Sequence, residues 1–97
     1  MSANNGIYIL KTKATNGAFE YRVREVHAIE NLFDGNNGNL PREKELCSLF
    51  GASEILKEDF DAFSVANDLL VELEEQGLEV EFGVLVLELD SVFPACA

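Results

Sequence analysis

Asn16-Gly17 separates two runs of alternating apolar and polar residues in the stretch "GIYILKTKATNGAFEYRV". This dipeptide restricts the fold more than any other feature of the chain. Asn-Gly readily supplies the two positive φ angles of a tight type I′ turn, so the stretch predicts a β-hairpin. With these two residues as the loop, Leu10, Thr12 and Ala14 share a face with Phe19, Tyr21 and Val23. Lys11, Lys13, Glu20, Arg22 and Arg24 share the other face. The first face is expected to be core and the second solvated.

The remaining elements follow from periodicity and from chain breakers. In "EVHAIENLF", Val26, Ile29 and Phe33 have the spacing of a short helix, which stops at the Gly- and Asn-rich surface loop "DGNNGN". Pro41 and Gly51 bracket a helix in "PREKELCSLFG", with Leu46, Leu49 and Phe50 as its buried stripe. Ser53 can cap a further short helix through "SEILKED". The last helix runs from about Phe60 to Gln76, ends at Gly77, and carries Ala62, Phe63, Ala66, Leu69, Leu70 and Leu73 on its apolar arc. The stretch "LEVEFGVLVLELDSVF" then reads as one long strand. A bulge at Gly83 keeps Val80, Phe82, Leu85, Leu87 and Leu89 pointing inward and Glu79, Glu81, Glu88 and Asp90 outward. The expected architecture is a single α+β domain over residues 1–97. A three-stranded antiparallel sheet, formed by the N-terminal hairpin and the C-terminal strand, packs against three or four helices.

A chain of 97 residues that is 47% apolar can bury one core without metals or disulfides. Cys47 and Cys96 have no CxxC spacing, so the expectation is two free thiols in a reducing cytoplasm. No signal-like opening and no apolar run of roughly 20 residues is present, which predicts a soluble, cytoplasmic protein without membrane contact.

Charge is the outlying quantity. The chain has 18 acids against 7 bases, a net charge of −11. Residues 1–57 hold seven acids and all seven bases; residues 58–97 hold the other eleven acids and no base. That second segment is nevertheless rich in Leu, Val and Phe, so it is a folded acidic surface and not a disordered tail. At 100° per residue, Asp61, Asp68, Glu72 and Glu75 fall within a sector of roughly 60° and form a line about 21 Å long. Asp59 precedes this line, and Glu79, Glu81, Glu88 and Asp90 extend the acidic character through the strand. These nine carboxylates are the candidate partner-binding residues. Acids commonly fill the solvated side of an amphipathic helix. A stabilising face, however, interleaves Lys or Arg at i+4, whereas Asp68 and Glu72 repel each other here.

Catalytic signals are sparse, and an enzyme is not expected. His27 is the only histidine and has no Cys or carboxylate pair at ligand spacing, so no metal site or cofactor is implied. The serines lack a G-x-S-x-G setting, and "DGNNGN" lacks the Lys and helix start of a phosphate loop.

Two resemblances bear on function. "LPREKELCSLFGAS" and "LLVELEEQGLEV" resemble the start of the winged-helix domain and the end of the recognition helix in bacterial regulators of the GntR family. Where that family offers Ser, Thr and Arg to DNA, this chain offers Asp59, Asp61 and Asp68, which DNA repels. The resemblance therefore implies a small regulator acting through protein contacts. In size and charge layout the chain is also similar to acidic phage and prophage proteins that imitate DNA, among them type I-F anti-CRISPR inhibitors. That similarity implies an inhibitor that blocks the nucleic-acid groove of a Cas surveillance complex or another basic nucleic-acid-binding protein, without itself binding nucleic acid. An immunity protein against a basic nuclease has the same electrostatics.

Overall fold

The computed structural model describes residues 5–27 and 43–96. Strands β1 (Asn5–Lys13) and β2 (Phe19–His27) are followed by helices α1 (Glu43–Phe50) and α2 (Asp59–Glu75) and by strand β3 (Val84–Val92). The three strands form one sheet in the order β2-β1-β3. β1 is central because it is apolar on both sides. Ile7 and Ile9 on one face and Tyr8 and Leu10 on the other are all buried.

Among the described residues, each face of the sheet carries one helix. On the first face, Tyr8, Leu10, Val26 and Leu89 pack with Leu46 and Phe50 of α1. On the second, Ile7, Ile9 and Tyr21 pack with Ala62, Ala66 and Leu73 of α2. Val23, Leu56, Leu69, Leu70, Val80 and Val84 pack around this second cluster.

The sheet is mixed, which corrects the expected antiparallel arrangement. β2 is antiparallel to β1, with Ile9 opposite Val23, but β3 is parallel to β1, with Ile7 opposite Val84 and Leu10 opposite Leu87. The reason lies in the path of α2. Leu56 exchanges two backbone hydrogen bonds with Tyr21 (2.8 and 2.9 Å), so α2 starts near the hairpin turn. Seventeen helical residues span about 25 Å, which carries the chain to the opposite end of the sheet. There Asn5, 2% exposed, receives the chain: its backbone oxygen accepts from Phe82 N (2.9 Å) and its Oδ1 from Glu81 N (3.2 Å). β3 therefore begins beside the start of β1 and must run the same way.

Five further expectations are corrected. Among the described residues there are two helices, not three or four. Val26 lies in β2, while Ile29, Phe33 and the "DGNNGN" loop fall outside the described residues; "SEILKED" does not form a helix, because Leu56 is drawn into its extended bridge with Tyr21. The hairpin register is displaced by one residue. Ala14 N donates to Ala18 O (2.8 Å), leaving a three-residue loop closed by Gly17 at φ 88°. Lys11 consequently faces Tyr21 and Leu10 faces Arg22, reversing the expected sharing of faces. Gly83, at φ 66°, lies in the turn before β3 and not in a strand bulge; the irregularity falls farther on, where Lys11 pairs with Glu88 but Lys13 pairs with Val92.

Cys47 and Cys96 are joined in a disulfide, with Cα atoms 5.6 Å apart, and are not free thiols. The 49-residue separation hid their proximity. After β3 the chain returns across the face that carries α1, and Phe93 packs against the first core cluster. Arg22, only 7% exposed, lies 3.8 Å from the Phe93 ring centroid and within 3.4 Å of Thr12 Oγ1. Burial lowers the pKa of Arg22, opposed by the nearby Glu20 carboxylate.

Candidate functional site

α2 carries the acidic row, and both its ends are set by local backbone chemistry. Glu58 is extended at the N-cap, and Asp59 Oδ1 accepts from Phe60 N (2.7 Å). At the other end Gly77, at φ 81°, closes a Schellman turn: Leu78 N donates to Leu73 O and Gly77 N to Glu74 O, each at 3.0 Å. Between these ends Ala62, Ala66 and Leu73 fix the sheet-facing side. That anchoring turns Asp61, Asp68, Glu72 and Glu75 outward, and all four are exposed.

None of these four carboxylates has an ion-pair partner among the described residues. Their placement carries an energetic cost. Asp61 near the N-terminus is favoured by the helix dipole, but Glu72 and Glu75 near the C-terminus are opposed by it, at about 0.3–1 kcal/mol each. No basic residue occupies the last turn to offset them.

The other five predicted residues do not join the row. Asp59 lies two positions before Asp61, about 160° around the helix, and serves the helix start. Glu79 and Glu81 are exposed in the segment between α2 and β3, and Glu81 is held through its backbone N–H by Asn5. Glu88 and Asp90 are exposed on β3 but face lysines of β1. Lys11 Nζ is 3.8 Å from Glu88, and Lys13 Nζ is 2.5 Å from Asp90. The hydrogen bond and charge of Asp90 raise the pKa of Lys13; reciprocally, Lys13 lowers that of Asp90.

Most of the cations in the first half of the chain are committed elsewhere. Lys57 pairs with Glu20 at 2.9 Å, and Arg22 is buried. Arg24 Nη1 donates to the carbonyl of Leu49 (2.7 Å) and more weakly to that of Ser48 (3.4 Å), capping the end of α1, which has no basic residue in its own last turn. Among the described residues, none of these cations forms an ion pair with the α2 row.

Sequence reading missed the apolar side of this site. Phe63, expected in the core, is 50% exposed, and Phe60 is 78% exposed. The signal was present: apolar residues occupy more of the circumference of α2 than one packed face can use.

Among the described residues no group of three His, Cys, Asp or Glu side chains could hold a metal ion. An open depression on α1 is lined by Lys44, Glu45, Ser48 and Leu49. Among the described residues, no helix is long and apolar enough to cross a membrane. No family model matches the chain, and no curated protein or solved structure matches it either.

Proposed function

We propose that the protein is an inhibitor that acts by binding, of the phage or prophage type, and that α2 occupies a Lys/Arg-lined nucleic-acid groove of a host defence complex. A CRISPR-Cas surveillance complex is the proposed target. The observation that carries this reading is the row Asp61, Asp68, Glu72 and Glu75, exposed, in line and without ion-pair partners. A negative rod about 21 Å long gains affinity from the counterion release and steering that a phosphate backbone uses. Glu88 and Asp90 contribute less than the row because lysines neutralise them.

Such an inhibitor works in the host cytoplasm, where thiols are kept reduced. Because α2 packs on the sheet face opposite the one that carries α1 and its disulfide, the proposal expects the acidic row to persist when that bond is reduced. The test is capture of a partner from bacterial lysate, followed by challenge with duplex DNA. The proposal expects the DNA to release the partner, with release and capture both weakening steeply as salt rises. Capture indifferent to DNA would contradict it.

A further inference from the structure

The acidic row is only part of what α2 presents to solvent. Phe60, Phe63 and Val71 are 78%, 50% and 52% exposed. At 100° per residue they share a sector of about 80°, between the sheet-facing arc and the acidic row, with Asn67 and Glu74 in the same sector beyond the two phenylalanines. Singly exposed apolar residues are ordinary, but Phe60 and Phe63 lie one turn apart, and with Val71 beyond Asn67 they form a broken apolar stripe beside a row of one charge.

We propose that stripe and row form one amphipathic docking face, whose occupant is a basic amphipathic helix lining the partner's groove. Its apolar side receives Phe60 and Phe63, and its Lys and Arg residues lie along Asp61, Asp68, Glu72 and Glu75. This deepens the inhibitor proposal and rests on its reading of the row as a binding surface.

Charge complementarity selects this occupant. A second copy would bring two acidic rows together on chains of net charge −11. Duplex DNA and anionic lipid are repelled by the same row. A purely cationic strand satisfies the acids but leaves both phenylalanines in water. A helix with one basic and one apolar side satisfies both, and since row and stripe each run along the axis of α2, a second rod matches their shape. On this account the carboxylates supply steering and the aromatic anchors supply residence time and selectivity.

The test uses two synthetic peptides of identical Leu and Lys composition. One places its leucines on a single helical face; the other is scrambled so that it has no apolar face. Wild-type protein should bind the amphipathic peptide at least about tenfold more tightly than the scrambled one. F60S/F63S should abolish that preference while keeping the weak, salt-sensitive binding of the scrambled peptide, and D61N/D68N/E72Q/E75Q should weaken both. Equal affinity of the wild type for the two peptides overturns the inference but leaves the charge reading standing; this arm needs no variant to fold. A preference that survives F60S/F63S also overturns it. If neutralising the four acids weakens neither peptide, the charge reading falls as well. Sedimentation showing a wild-type dimer that F60S/F63S converts to monomer would assign the stripe to a second copy and overturn the proposed occupant.

Discussion

Individual charged residues divide into those that serve the fold and those that do not, and position decides which. Lys13 and Asp90 stand on adjacent parallel strands and form a hydrogen-bonded ion pair at the surface. The pair lowers the Asp90 pKa and raises that of Lys13, and the signs set its pH range. The contribution of Asp90 is present above the ordinary aspartate pKa and is lost as pH falls through its lowered folded value. The contribution of Lys13 is present below the ordinary lysine pKa and is lost as pH rises through its raised folded value. NMR titration should therefore find the Asp90 carboxyl titrating below an ordinary aspartate, and Lys13→Gln should return it to the ordinary range. An Asp90 titration unmoved by Lys13→Gln would show that the pair does not form in solution. Alternation alone made Asp90 and Glu88 look equivalent to the α2 acids. The opposing lysines became visible only once β3 was placed beside β1.

At the scale of elements, the Cys47–Cys96 bond ties α1 to the segment after β3 across 49 residues of sequence. In the chain-entropy account a loop of this length contributes about 4 kcal/mol at most. Reduction, or C47A/C96A, should lower unfolding free energy by up to that amount in denaturant titrations while α2 keeps its helicity. Loss of α2 helicity on reduction would show that the two faces of the sheet are not independent. The elements themselves were largely legible. The hairpin followed from Asn16-Gly17, the span of α2 from its period and Gly77, and β3 from its Val and Leu run. Their relations were less so. Asn-Gly fits both a two-residue and a three-residue loop, and the choice of Thr15–Gly17 reverses every face of the hairpin. The direction of β3 depended on where α2 delivers the chain, and hence on Asn5, whose role as a buried anchor leaves no periodic mark. Phe63 was misplaced because angle alone cannot show that the sheet-facing side of α2 is already filled by Ala62, Ala66 and Leu73.

Across the whole molecule, charge and packing are separated. Most of the described cations of the first half serve a buried stack, a helix cap and ion pairs, and the last forty residues hold eleven acids and no base. A net charge of −11 on 97 residues weakens the folded state by self-repulsion, and Glu72 and Glu75 add an unfavourable dipole interaction; under the inhibitor proposal the row is kept for binding. The most direct measurement replaces all four row carboxylates at once, as D61N/D68N/E72Q/E75Q, and follows unfolding free energy and partner capture on the same protein. Relief of like-charge and dipole repulsion predicts stability equal to wild type or higher, within about 1 kcal/mol, together with loss of capture. Capture retained at wild-type strength would contradict the account.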